Sequence, residues 1–423
     1  MTMDQKSNYE DNKWEEPLLP QFAHLPVRTS VPRRSFPKFL AVFLGLFAAA
    51  FLCIVHVPVP FFGMSRMRAA EFHIPPDVVL VDCPSMSIDK SGTLATASFN
   101  YSVAAGEIFF VSRGGMSTGS VDVIPVEDTS DSDILEVDVR LRFSPPDLLR
   151  HVKVCRVRRA DHEGHVGLGI FTERYRRHYE HHGFEVTVRV PPGLINALST
   201  DMPLFKHHID DLGESVLFES LSLRTSNMHI HVDSVAATSA VIETSNSAIT
   251  GSYETSSSLE LLTANAPIKV DVLMVHKGGE ASNLSLHTSN AVISSSTMLE
   301  DRTGSGGKFT VAAHTVNGRI DMPFPSAPVN SRLKLKAETV IGSVSATMHP
   351  TYQGAFRAST YLARADVISN DVEDLEGKGR TRNVEITRLS GSFVQGFVSW
   401  SEEGRDYGEV ELIAGLGRVT INI

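Results

Sequence analysis

The chain has 423 residues, a formal net charge of −10 and 42% hydrophobic residues. At roughly 100–200 residues per domain that is room for two globular units and a tail, and the acidic balance argues against a general nucleic-acid binder. Three cysteines, Cys53, Cys83 and Cys155, are too few for a disulfide-dense secreted scaffold.

Residues 1–38 are rich in Pro, Glu, Asp and Asn without periodicity, and read as a disordered cytoplasmic tail. Phe39 to Val55 then carry no charge and almost no polar side chain, and Phe61 and Phe62 extend the apolar run past Pro58 and Pro60. A membrane helix needs about 20 such residues, with a range of about 17–25. A cleaved signal peptide has an apolar stretch of about 7–15 residues within the first 15–30 or so, whereas here residues 1–38 come first. Residues 39–62 are therefore expected to be a single transmembrane signal-anchor helix, with Cys53 facing lipid. Arg28, Arg33, Arg34 and Lys38 outnumber Arg66 and Arg68 beyond the span. That bias predicts a type II orientation with the C-terminal side lumenal or extracellular. Sequons at Asn100 (Asn-Tyr-Ser) and Asn283 (Asn-Leu-Ser) are compatible with glycosylation on that side.

Residues 70–215 contain strand-like stretches at Val78–Val81, Ala95–Phe99, Ile108–Val111, Ile134–Val139 and Phe184–Val190. Turn-forming clusters separate them, which predicts a small antiparallel β-domain. Cys83 and Cys155 both fall in strand-like contexts; a disulfide between them and two buried free thiols both fit. His162-Glu163-Gly164-His165, followed by the His/Arg-rich stretch to His182, is the densest polar cluster. Metal, anionic glycan or lipid-headgroup binding would suit it. Lacking a Cys pair or a complete His-Glu-x-x-His pattern, it reads as a solvated loop. His207, His208, His229 and His231 read as surface residues.

From residue 216 to 423 the chain repeats itself. Leu221-Ser-Leu-Arg-Thr225-Ser-Asn227-Met-His-Ile230 recurs with Thr244/Asn246/Ile249, Thr263/Asn265/Ile268, Thr288/Asn290/Ile293 and, more loosely, Thr315/Asn317/Ile320. Weaker copies follow at Leu335–Val344, Phe356–Ala365, Val384–Phe393 and Val410–Val419. Leu, Leu, Thr and Asn fall on alternate positions, so they are expected on one face of a strand. The next apolar residue comes three after Asn, so the chain must turn there, a place suited to Asn through its tolerance of positive φ. Repeats of this length stack as coils that share a core, with like residues over like. The fold class expected is all-β, with the antiparallel domain followed by a parallel β-solenoid (β-helix); a β-sandwich is the rival. The copies lacking Asn are expected to be less regular, the terminal one serving as a cap.

The Leu-x-Leu-x-Thr-Ser-Asn-x-x-Ile pattern at 221–230 and 284–293 resembles the adhesin-like β-helix domains of unknown function. The whole layout resembles uncharacterised fungal membrane-anchored proteins that join a short polar tail, one span, an all-β segment and such repeats. Val152–Val157 and Gly167–Thr172 are similar to that group as well. The resemblance implies a cell-surface or secretory-pathway protein and supplies no catalytic residues. Nothing in the repeat recurs as a carboxylate pair, and Gly304–Lys308 lacks P-loop spacing. The expectation is a non-enzymatic protein without cofactor or metal, spanning the membrane once and serving a binding or a structural role, with a glycan or a protein as the ligand in the first case. A carbohydrate-active β-helix enzyme and a tail-recruiting scaffold are the alternatives.

Overall fold

The computed structural model of the chain describes residues 72–126, 133–144, 146–173 and 181–423. The expected tail, the expected span over 39–62, Cys53 and most of the His/Arg-rich stretch lie outside the described residues. Residues 68–423 form one compact unit. The described part is all-β, interrupted by two short 3-10 turns at Pro146–His151 and Glu402–Asp406. Among the described residues no helix is long and apolar enough to cross a membrane.

The strands form two long ladders facing each other across one core. The first contains the Leu-x-Leu-x-Thr segments. Strands Gly193–Asp201 and Val216–Arg224 pair in parallel, and the series continues through Ile230–Glu243, Ile249–Leu262, Ser282–His287, Lys308–Thr315 and Arg332–Thr339. The second contains the segments beginning at the repeat isoleucines. It runs in parallel from Phe205–Asp211 through Ile230, Ile249, Ile268, Ile293 and Ile320 to Val344. Leu221, Leu223, Leu259, Leu261, Leu284 and Leu286 point in from one ladder, and Ile230, Ile249, Ile268, Ile293 and Ile320 from the other. Each such side chain contributes about 1.5–3 kcal/mol of transfer free energy. A single coil cannot enclose that surface, so stacking is what makes the fold stable.

The alternation Leu, Leu, Thr buries as expected, but Asn does not share that face. Asn227, Asn246, Asn265, Asn290 and Asn317 are all exposed, because the chain has already turned at the preceding residue. Nor do they use left-handed backbone: Asn330 alone among described non-glycine residues has positive φ. A glycine is needed instead at Gly251. There φ is +126° and an added Cβ would lie 1.8 Å from the Val232 carbonyl oxygen. The register between Ile230–Glu243 and Ile249–Leu262 slips at that point, as a bulge requires.

Residues 70–215 differ from the expected separate antiparallel domain. Antiparallel pairs are present, with Leu94–Ser102 on Ile134–Ser144 and Val152–Arg159 on His165–Thr172. Yet Glu107–Arg113 and Gly119–Pro125 pair in parallel on both sides and continue the two ladders directly. Strand alternation shows which side chains are buried and cannot show strand direction, so this continuity was not readable in advance. At the other end, Val410–Val419 and Phe356–Ala365 form coils. Val384–Phe393 does not, because Asn383–Ser390 makes an antiparallel hairpin with Phe393–Ser399 that closes the first ladder.

Candidate binding face of the stacked coils

The repeat residues form two side-chain rows of different kinds. Each repeat threonine is buried and donates its hydroxyl to a carbonyl of the neighbouring coil. Thr244 Oγ1 reaches Met228 O at 3.2 Å, Thr263 Ser247 O at 3.3 Å, Thr288 Ala266 O at 3.1 Å and Thr315 Ala291 O at 3.0 Å. Thr225 does the same toward Pro203 O and Phe205 O. The asparagines form an exposed ladder in which, from Asn246 onward, each Nδ2 donates to the Oδ1 of the coil before it. The distances are 2.8 Å for Asn246 to Asn227, 2.7 Å for Asn265 to Asn246, 2.7 Å for Asn290 to Asn265 and 2.6 Å for Asn317 to Asn290. Both rows hold the coils in register and are structural.

A third row lies on the outward face of the second ladder, one position after the buried isoleucines. In spatial order it reads Asp122, His208, His231, Thr250, Lys269, Ser294, Asp321, Ser345, Thr420, Asp366. None of these is buried and all are polar. Neighbouring strands lie about 4.8 Å apart, so the row is a rigid polar track.

At one end of the track, histidines and aspartates converge. His208 and His231 are register partners on adjacent strands and stack with ring centroids 5.6 Å apart at 9°. Asp233, two residues beyond His231, lies between them: its Oδ1 is 3.0 Å from His231 Nε2 and its Oδ2 is 3.4 Å from His208 Nε2. Asp210 and Asp122 each stand 3.8 Å from His208. His231 Nδ1 is hydrogen-bonded to Thr250 Oγ1 at 2.8 Å, which leaves Nε2 turned to the carboxylate.

The four histidines read as surface residues divide. His208, His229 and His231 are at the surface, but His207 is fully buried. It pairs with Ile230 on one side and Val121 on the other, so it occupies a place in the isoleucine row. Burial pushes its pKa down to about 4. Its Nε2 is 2.8 Å from Thr200 Oγ1, and the Phe205 backbone offsets part of the burial effect. His229 is also held below its ordinary value, first by desolvation and then by Lys206, His231 and His208. The sequence signal for the cluster is a duplicated pattern, His208-Ile-Asp-Asp and His231-Val-Asp-Ser. It was hidden because the corner before His207 lacks Thr-x-Asn.

An open cleft of about 270 Å³ lies against His162 and His165, with Asp77, Glu107, Arg159 and Asp161 also lining it. The two imidazoles stack at 4.7 Å. Glu107 accepts from Ser199 through one oxygen and meets Arg159 and His165 through the other, while Arg159 also pairs with Asp77 at 2.6 Å. Arg159 is thus shared between Asp77 and Glu107.

Cys83 and Cys155 are joined by a disulfide. Cys155 is buried in a small satellite cluster with Val78, Phe109, Val111, Val157 and Phe171, so the bond staples the first described segment onto the outside of the first ladder. Asn100 and Asn283 are both exposed. Asn100 sits within strand Leu94–Ser102, and Asn283 Nδ2 donates to Ala281 O at 3.0 Å.

No protein-family model and no curated protein matches the chain. Among solved structures, it is similar to a "putative adhesin" from Bacteroides fragilis, at 11% identity and a TM-score of 0.32, over 78% of this chain and 97% of that one. It is also similar to a "putative cell adhesion protein" from Clostridium sporogenes, at 9% identity and a TM-score of 0.16, over 77% and 99%. Similarity at that level carries no functional argument.

Proposed function

We propose that the protein is a single-pass type II membrane protein that presents a non-enzymatic, adhesin-like β-solenoid outside the cytosol. The observation that carries the reading is the unbroken outward row of polar side chains from Asp122 to Asp366 along one rigid ladder. A continuous polar track of that kind suits an extended partner, such as a glycan chain or an extended peptide, which can meet one polar side chain on each successive coil. Three further observations support the location. The apolar run at 39–55 is long enough to anchor the chain. The Cys83–Cys155 bond belongs to an oxidising compartment. Both sequon asparagines are accessible to solvent. The resemblance to fungal membrane-anchored proteins points the same way. An enzymatic reading gains no support from the open cleft, where Glu107 is committed to Ser199, Arg159 and His165.

Translation of the full chain into microsomes tests the topology. Protease added outside should trim the tail and leave residues 72–423 intact, and a glycosidase should shift the protected product unless Asn100 and Asn283 are both replaced by Gln. Digestion of the β-domain by external protease overturns the proposal. Binding is tested with a glycan array probed by the detergent-solubilised chain. A signal that falls on Lys269→Ala or Asp321→Ala supports the track, and a signal unchanged by both removes it.

A further inference from the structure

We infer that His208, His231 and Asp233 form a surface site for a divalent transition-metal ion of the Zn²⁺ class. The site is carried by two adjacent strands, so its geometry is set by the ladder and not by a loop. His208 and His231 share register across the strand pair. Asp233 follows His231 on the same strand face, and Asp210 follows His208 in the same way. One ligand atom from each of His208, His231 and Asp233 can be placed with all three within 4.8 Å of one another. Bonds of about 2.0–2.2 Å to one ion require these side chains to close further onto it.

The ligand types select the metal. Two imidazoles with one or two carboxylates suit Zn²⁺ and its neighbours, whereas Ca²⁺ and Mg²⁺ prefer oxygen alone. Two features separate this cluster from a chance ion pair. His231 has its Nδ1 held by Thr250 Oγ1 at 2.8 Å, the outer partner that orients a metal-bound imidazole. Three carboxylates, Asp122, Asp210 and Asp233, surround two imidazoles, more negative charge than the histidines neutralise; Lys206 is the nearby opposing cation. The stacked pair His287 and His314, with centroids 5.2 Å apart, is the internal contrast: Glu260 acts on His287 and Glu338 is the register partner of His314, but among the described residues no carboxylate converges with both rings as Asp233 does. The inference is independent of the membrane reading, since it needs only the folded ladder.

The test is a titration of the full chain in detergent, freed of metal with a chelator, with Zn²⁺ against a metallochromic indicator. One equivalent should bind per chain. His208→Gln and His231→Gln should each weaken it at least tenfold, Thr250→Val about tenfold, and His287→Gln should leave it unchanged. Failure to bind one equivalent, indifference to both histidine variants, or displacement by equimolar Ca²⁺ or Mg²⁺ overturns the site. Cu²⁺ bound to the unmodified chain gives a check that does not rely on variants folding. Its paramagnetic resonance spectrum should carry hyperfine structure from two imidazole nitrogens, and a spectrum without nitrogen coupling also overturns it.

Discussion

Asn265 Nδ2 donates to Asn246 Oδ1 at 2.7 Å, and these two residues lie nineteen positions apart in the chain. Because Asn290 in turn donates to Asn265, Asn265 takes part in two ladder bonds, whereas Asn227, at the start, takes part in one. Intramolecular hydrogen bonds contribute about 0.5–1.5 kcal/mol each. Asn265→Ala should therefore cost about 1–2 kcal/mol and Asn227→Ala roughly half of that. Urea unfolding of the two variants measures the difference; equal losses would mean that the ladder adds nothing beyond the residues themselves.

The threonine row predicts a different pattern. Thr288 is fully buried and donates to Ala266 O at 3.1 Å. Thr288→Val keeps the shape and removes the donor, which leaves the carbonyl short of a partner at a cost of about 1–3 kcal/mol. Thr288→Ser keeps the bond and loses one methyl, about 0.8 kcal/mol. The valine variant should be the less stable in denaturant melts, and the reverse order would show that methyl packing outweighs the hydroxyl.

Acid should weaken the fold through His207. In the unfolded chain a histidine titrates near 6.5, while burial holds His207 at about 4. As pH falls below about 6.5, the unfolded chain takes up a proton that the folded one refuses. Stability from this group is therefore complete above about 6.5 and declines down to about 4, by on the order of 3 kcal/mol. His207→Leu, which restores the apolar residue type of this row, should flatten stability across that window. A stability profile unchanged by the substitution would assign the acid sensitivity elsewhere.

The Cys83–Cys155 bond closes a loop with a sequence separation of 72. Loop-closure entropy puts its stabilisation at about 4 kcal/mol, and typical removals cost about 2–5 kcal/mol. Cys83→Ser with Cys155→Ala should lower stability by that order, and a reductant should reproduce the loss in the unmodified chain but not in the variant. Thermal melts with and without reductant decide it.

Gly251→Ala should be among the most damaging single changes. It places a methyl 1.8 Å from the Val232 carbonyl at φ +126°, and both the clash and the backbone strain act at once. A loss above about 3 kcal/mol is expected, since strained positions of this kind cost about 1–3 kcal/mol before any clash. A melting temperature within a degree or two of the unmodified chain would show that the bulge can relax.

Much of the interior was legible in the sequence. Leu221, Leu223 and Thr225 and their counterparts are buried where a period-two pattern places them, Ile230 and its counterparts are buried once the chain has turned, and vertical stacking of Asn227, Asn246, Asn265 and Asn290 follows from the repeat. The outward turn of those asparagines was not legible, because alternation is counted along a straight strand and the chain bends one residue earlier. The His208, His231 and Asp233 cluster escaped for a related reason. Its two strands belong to coils that are neighbours in space, but the first of them, Phe205–Asp211, carries no recognisable corner motif, so the register of His208 with His231 could not be read.

The sequence by itself determined the strand period, the repeat and the residue types of each row, since these depend only on which side chains water rejects. Coil order at the two ends was decided only in three dimensions. The final coil of the chain, Glu409–Asn422, slips between those of Arg332–Thr347 and Gly354–Ile368. At the opposite end strand Glu107–Arg113 lies between His165–Thr172 and Gly193–Asp201, and Gly119–Pro125 between His181–Val190 and Phe205–Asp211. Backbone hydrogen bonding is the same for any strand, so no local pattern names its partner. The choice falls to how whole coils fill the shared core and to which segments, here the antiparallel hairpins, are left to cover its open ends.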